Sequence, residues 1–254
     1  MDIHGERLYH IGITPAQGAE FAIICGDPGR VESIAELCDG YAPLASNREY
    51  TSFEAELDGE RILVMSHGIG GPSTAICVEE LYMAGVRTII RVGTSGGMAM
   101  DVKPSELVIA SSAIRAEGTS REYLPIEFPA AADFSVVEAL RDAARVEGIG
   151  YHVGVVHCKD SFYGQHSPER MPVSGELLEK WSAWIRGGAL ASEMETAALF
   201  CVSASLGIKA GAVLRVIWNQ ERVSAGIIDE EVSDELSAAR VAVRAVRRLI
   251  GSGR

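Results

Sequence analysis

Four things are missing from this sequence, and each removes a class of function. No stretch approaches the ~18 consecutive apolar residues of a membrane-spanning helix. The opening Met1-Asp2-Ile3-His4-Gly5-Glu6-Arg7 has no apolar core of the kind a secretory leader needs. The five cysteines, Cys25, Cys38, Cys77, Cys158 and Cys201, show no CxxC spacing and lie among apolar neighbours, so they read as buried free thiols rather than disulfides or a metal site. There is no run of Lys and Arg, and the formal net charge is −12; a chain so acidic repels a nucleic-acid backbone or an anionic membrane. The arginines of 241–254 fall at helical spacing among apolar residues and read as the basic edge of a terminal helix. No Pro-rich or Gly/Ser-rich linker and no internal repeat divides the 254 residues, 47% of them apolar. One domain over 1–254 with its own core is expected, and the cytosol is the expected compartment.

What is present is an alternation. Residues 21–25 are a short apolar run followed by Gly26-Asp27-Pro28-Gly29-Arg30, and 31–37 then has helical spacing. Residues 61–66 predict a second strand, followed by the Gly-rich loop His67-Gly68-Ile69-Gly70-Gly71-Pro72-Ser73 and a helix over 73–84 that stops at Gly85. Residues 87–92 predict a third strand running into Gly93-Thr94-Ser95-Gly96-Gly97. Further strands are expected at 106–111, 152–158 and 209–218, and helices at 135–147, 190–206 and 229–250. The 190–206 segment is apolar nearly all round, which marks a buried helix. Strands alternating with helices argue for an α/β domain of three layers, helices covering both faces of a mixed, largely parallel sheet. Ligands of such sheets bind at the carboxyl ends of the strands, and three Gly-rich turns fall there.

Several charges sit in awkward places. Arg91, between Ile89-Ile90 and Val92-Gly93, lies near the end of a buried strand, where a guanidinium is costly unless an anion or a buried carboxylate pairs with it. Gly93 and Thr94 follow with backbone N–H groups and a hydroxyl. Arg30 stands in the first turn of a helix after a glycine-containing turn, a place that favours an anion. Arg48 taken alone reads as a surface residue. The 68–73 loop has neither the Gly-Lys-Ser/Thr ending of a P-loop nor the full GxGxxG spacing, so the phosphates of ATP or NAD are not its natural ligand, while free inorganic phosphate is. Glu195 shares a face with Ala198, Leu199 and Val202; a carboxylate there either reflects ordinary helix-start acidity or takes donors such as ribose hydroxyls, and the helix start favours its ionised form.

These pieces join in a resemblance. Gly26-Asp27-Pro28-Gly29-Arg30-Val31, Ser66-His67-Gly68-Ile69-Gly70-Gly71-Pro72-Ser73, Ile90-Arg91-Val92-Gly93-Thr94-Ser95-Gly96 and Ser192-Glu193-Met194-Glu195-Thr196-Ala197-Ala198 resemble the four signatures of the nucleoside phosphorylase family, in family order and at family-like spacing over nearly the whole chain. Phe162-Tyr163-Gly164-Gln165 and the stretch 124–134 resemble its uridine-specific branch. The resemblance implies phosphorolysis of uridine to uracil and ribose 1-phosphate, with inorganic phosphate as co-substrate and no required cofactor. It implies that Gly26, Arg30, Arg48, Arg91 and Thr94 hold phosphate, that Met194 and Glu195 hold the ribose hydroxyls, and that His10 reaches the 5′-hydroxyl in a neighbouring subunit. Phe162, Gln165, Ile217 and a nearby arginine would meet the base, and Arg91, Glu195, Gln165 and Arg170 would carry the catalysis. It implies a homohexamer built as a trimer of dimers, and Glu49, Ile69 and Ser73 match positions that resemble a potassium site at a dimer interface.

Two departures stand out. The uracil-binding arginine of well-known relatives lies two residues past the glutamine, where this chain has Ser167; either the loop delivers Arg170 or His166 takes over part of the task. At Val216-Ile217-Trp218-Asn219 there is no aspartate of the kind that purine-specific members use to protonate the base, and Trp218 either narrows the pocket or packs in the core, with core packing the default. Arg91→Ala is expected to damage phosphate use far more than folding. The rival readings are a purine or broad-specificity nucleoside phosphorylase, a nucleosidase that uses water, and a non-catalytic nucleoside-binding protein.

Overall fold

The computed structural model describes residues 6–230 and 234–252. The leader reading at Met1–Gly5, residues 231–233 near the start of the predicted 229–250 helix and the last two residues of 241–254 lie outside them. The elements in chain order are β1 (Phe21–Cys25), α1 (Val31–Ala35), β2 (Gly40–Asn47), β3 (Tyr50–Leu57), β4 (Glu60–Ser66), α2 (Gly71–Met83), β5 (Thr88–Gly97), β6 (Leu107–Ala116), α3 (Thr119–Tyr123), β7 (Ala130–Ala131), α4 (Phe134–Glu147), β8 (Tyr151–Lys159), α5 (Phe162–His166), α6 (Ser174–Arg186), β9 (Ala191–Glu193), α7 (Thr196–Leu206), β10 (Lys209–Asn219), α8 (Gln220–Ser224) and α9 (Ser237–Ser252).

The strands form one mixed sheet. Parallel pairing joins β4, β1, β5 and β10 in turn, and β6, β8 and β9 in turn. Antiparallel pairing of β10 with β6 and of β9 with β5 links the two sets, so β5, β10, β6, β8 and β9 close a ring. Successive residues of a strand face opposite sides, and the apolar run of β1 fills two cores: Ala22 and Ile24 pack with α2 and α7, while Ile23 and Cys25 pack with α1, α4 and α9. That division produces the expected three layers.

Two expectations need correction, and one hairpin went unpredicted. The 190–206 segment is not one helix: residues 191–193 pair with β5 and β8 as a strand, and the helix begins at Thr196. A continuous apolar run carries no periodicity that separates the two. The segment Gly40–Leu57 folds as an antiparallel hairpin at the sheet edge, unsignalled because β2 is largely exposed and interrupted by Pro43. The terminal helix is shorter than predicted, starting at Ser237, while Asp229 pairs with Arg222.

The arginines of α9 are its outer edge. Arg240 and Arg244 meet Glu147, Arg247 meets Asp39 and Asp58, and Arg248 meets Asp142. Among the described residues no helix is long and apolar enough to cross a membrane.

Candidate active site

The parallel strands β1, β4, β5 and β10 all run toward one end of the sheet, and a cavity of about 750 Å³ opens there. Gly26, Asp27 and Arg30 from the turn after β1, Glu49, Gly68, Ile69 and Ser73, Arg91 and Thr94 of β5, Glu193, Met194 and Glu195 between β9 and α7, and Phe162, His166, Ile217 and Trp218 line it. The four signatures, far apart in sequence, therefore share one space.

Arg91 is 4% exposed. Its guanidinium bonds to Glu195 Oε2 and lies 3.3 Å from Glu193 Oε2. Room for it is made by Gly93, where a Cβ would stand 2.4 Å from Arg91 Nη1. Glu193 spends its carboxylate as the cap of α7, accepting from the backbone N–H groups of Glu195 and Thr196 at 2.9 Å. That leaves Glu195 free of capping duty and turned toward the cavity, where its Oε1 accepts from Gly70 N–H at 2.6 Å at the start of α2. Burial pushes the Glu195 carboxyl up, against the pull of Arg91, while the two carboxylates hold Arg91 charged despite its burial. The pairing removes the ground for expecting Arg91→Ala to damage phosphate use far more than folding, because the charge is not unpaired: removal strands two buried carboxylates, and breaking a buried pair costs about 3–5 kcal/mol.

Gly68 is required by geometry. Its φ is +74°, and a Cβ there would lie 2.8 Å from Glu49 Cγ and 3.0 Å from Ser73 Oγ. The same closeness gathers Glu49 and Ser73 at the cavity mouth beside the exposed Ile69. Ser73 Oγ donates to His67 O, which leaves its lone pairs outward. One carboxylate with neutral oxygens is a donor set that suits a hard monovalent cation, and one chain supplies only part of a shell.

Arg30 ends the 3-10 turn Pro28–Arg30 half-buried, with no carboxylate partner among the described residues. Arg48 is elsewhere: it sits at the tip of the β2–β3 hairpin with φ +54°, exposed and outside the lining, because a two-residue turn throws its side chain outward. His10 also lies outside its own chain's cavity, its Nδ1 2.6 Å from Glu80 Oε1 on α2.

At the opposite end of the cavity, Phe162 is 52% exposed and packs against His166 at 4.3 Å, and His166 lies 5.2 Å from Trp218. Trp218 thus forms cavity wall rather than core. The cause is a bulge: the β10–β5 register shifts between Val216 and Trp218, which re-aims Ile217 and Trp218 into the opening. Arg170 does not arrive. It ends a 3-10 turn on the surface, over the Tyr163 ring at 6.0 Å, where water solvates a guanidinium that has no buried carboxylate to meet. Gln165 is 8% exposed and lies in the wall, facing a second chamber of about 370 Å³ that also touches Trp181, Trp184 and His157.

The cation at this end is Lys159, which sequence reasoning missed. It lines both spaces, and its Nζ donates to Ser192 Oγ at 2.8 Å. Burial lowers its pKa, opposed by Glu193. The only sequence signal was a lysine ending an apolar strand. Asn219, near where purine-specific relatives are expected to keep an acid, is fully committed: its Nδ2 donates to Ala99 O and Val102 O, and its Oδ1 caps α8.

Residues 20–251 match the family described as the phosphorylase superfamily. The uridine phosphorylase of Treponema pallidum is 51% identical over 95% of this chain and 94% of its own length. The uridine phosphorylase of Salmonella typhimurium is 40% identical over 96% and 98%. The guanosine phosphorylase of Halorubrum lacusprofundi is 39% identical over 83% of each.

Proposed function

The chain belongs to the phosphorylase superfamily, and from that premise we propose that it is a pentosyltransferase that cleaves uridine with inorganic phosphate, releasing uracil and ribose 1-phosphate. The observation that carries this reading is the set of groups brought to one cavity: guanidinium groups of Arg30 and Arg91, Glu195 beside Arg91, and Lys159 with Phe162, His166 and Ile217. An anion, a sugar and a flat base fit that set. The uridine phosphorylases among its relatives, one of them at 51% identity, support the pyrimidine, as does the absence of a free acid at Asn219.

In the proposed reaction phosphate attacks the anomeric carbon as the bond to the base lengthens and the sugar takes on oxocarbenium character. Arg30, Arg91 and Thr94 position the nucleophile and place its charge beside the developing cation. Glu195 and Met194 hold the ribose, Phe162 and Ile217 flank the base, and Gln165 meets its polar edge. Lys159, rather than Arg170, supplies positive charge to the departing base, with His166 beside it.

The oligomer belongs to the same proposal. Arg48 and His10 lie outside their own chain's cavity, and a homohexamer of three dimers would bring them to a neighbour's. Potassium held by Glu49, Ile69 and Ser73 of two copies would tie the dimer together and take no part in the chemistry. Five free cysteines fit a cytosolic role in pyrimidine nucleoside salvage.

The test is to incubate the protein with uridine, inosine and guanosine, with and without phosphate, and measure free base. Uracil release that requires phosphate is expected. Preferential release of a purine base selects the guanosine-type reading, release without phosphate selects a nucleosidase, and tight binding without turnover selects a binding protein.

A further inference from the structure

Ser192 is the central residue of β9, 3% exposed, and its hydroxyl meets three side chains from elsewhere in the sequence. Lys159 Nζ lies at 2.8 Å, His157 Nδ1 at 3.0 Å and Gln165 Oε1 at 2.8 Å. A hydroxyl has one hydrogen and two lone pairs, so three neighbours use all it has. The ammonium of Lys159 can only donate, and it takes one lone pair. Two arrangements remain. In the first, Ser192 donates to Gln165 Oε1 and accepts from His157 Nδ1–H, which leaves His157 Nε2 as a bare lone pair. In the second, Gln165 is turned over and donates its amide, Ser192 donates to His157 Nδ1, and His157 Nε2 carries the hydrogen.

His157 decides between them. Its Nε2 is buried with no hydrogen-bond partner, the ring stacked on Trp184 at 4.0 Å and edge-on to Trp181 at 6.0 Å. A buried N–H without an acceptor is rarer and costlier than an acceptor short of one donor. The first arrangement therefore holds. In that orientation Gln165 Nε2 donates to Gln220 Oε1 at 3.4 Å.

The consequence reaches the substrate. Gln165 Nε2 lies 3.9 Å from where a Cβ of Gly96 would stand, and Gly96 lines the nucleoside cavity. With its orientation fixed, the glutamine offers donor hydrogens there, beside the donor-only ammonium of Lys159. We propose that Ser192 is a specificity-determining positioning residue: by fixing the Gln165 amide it makes the base end of the cavity favour a carbonyl oxygen over an amino group at the ring position that faces Gln165 and Lys159. The inference rests on reading the cavity as a nucleoside site, and it holds for oxo against amino bases whether pyrimidine or purine.

The experiment measures kcat/KM with saturating phosphate for uridine, cytidine, guanosine and adenosine. Wild type, Ser192→Ala, Ser192→Thr, Gln165→Met and the double variant Ser192→Ala/Gln165→Met are compared. Which oxo nucleoside wild type uses tests the function; the oxo-to-amino ratio tests Ser192. In Ser192→Ala the ratio is expected to fall about tenfold or more, with KM for phosphate unchanged. Ser192→Thr, which keeps the hydroxyl, should restore it. On the Gln165→Met background, loss of the hydroxyl should alter the ratio by less than about twofold, since the two residues act as one unit. An unchanged ratio in Ser192→Ala, or the same fall with and without Gln165, overturns the proposal. Should Ser192→Ala melt far below wild type, the Ser192→Thr and Gln165→Met ratios decide: a ratio collapsed in Ser192→Thr or retained in Gln165→Met also overturns it.

Discussion

The arginines of α9 and those of the cavity carry the same chemical group into opposite surroundings. On α9, Arg240, Arg244, Arg247 and Arg248 each find a carboxylate on a neighbouring element, at the surface, where water shares the work. In the cavity, Arg91 is buried against two carboxylates that are themselves buried, and Arg30 has no carboxylate partner among the described residues. Exposed pairs contribute little to stability because solvation competes with them. A buried pair is costly to break from either side, and an arginine without a carboxylate beside an opening is available to an incoming anion. Charge alone does not mark function here; the state of pairing and of solvation does.

The sharpest way to break this contrast is Arg91→Ala. It is expected to reduce phosphorolysis by roughly a thousandfold and to lower stability by about 3–5 kcal/mol, because Glu193 and Glu195 lose their counter-charge. Base release and denaturant unfolding check the two effects. Full activity would end the phosphate role, and an unshifted unfolding curve would end the claim of a buried triad. Arg91→Lys should recover much of the stability and little of the rate, since an ammonium cannot replace the planar fork.

Lys159→Met sharpens the comparison at the other end of the cavity. Lys159 is buried like Arg91 but has no carboxylate in ion-pair range among the described residues. Its removal strands no anion. Turnover is expected to fall about a hundredfold while the melting temperature stays near wild type and KM for phosphate is unchanged. A collapsed fold, or a defect in phosphate binding instead of turnover, contradicts the assignment.

The smallest effect belongs to α9. Arg247→Ala should leave kcat/KM unchanged and shift the melting temperature far less than Arg91→Ala does. Its pH dependence is specific. The Arg247 hydrogen bond holds the Asp39 carboxyl down from 3.8 to about 2. A carboxyl lowered in the folded state contributes stability that is present above its unfolded value and lost as pH falls through its folded one. The melting-temperature gap between wild type and Arg247→Ala should therefore narrow as pH drops from 3.8 toward 2. A gap that widens in acid contradicts the pairing.

Much of the fold was legible because it follows from local rules. β1 stands where its apolar run placed it, α4 ends at Gly148 with φ +67° as the glycine after an amphipathic run requires, and the Gly-rich turns close the strands that precede them. The segment 190–206 was misread because a strand and a helix look alike when both are wholly apolar. The part of the cavity around Arg30, Arg91 and Glu195 was legible through its motifs. The part around Lys159 was not, since Lys159, His157 and Ser192 carry no local pattern and meet only because β8 and β9 are parallel neighbours.

By itself, the sequence determined the α/β alternation, the acidic surface, the glycine turns at strand ends and the presence of arginines at positions that need anions, because each of these depends on residues within a turn or two of one another. Tertiary structure alone decided that Glu193 caps α7 while Glu195 faces Arg91, that Arg170 stays in solvent while Lys159 enters the cavity, and that Ser192 joins three side chains. Those outcomes depend on which strands become neighbours and on which buried groups find partners, and the energy of a buried polar group is set by what packs against it rather than by what precedes it in the chain.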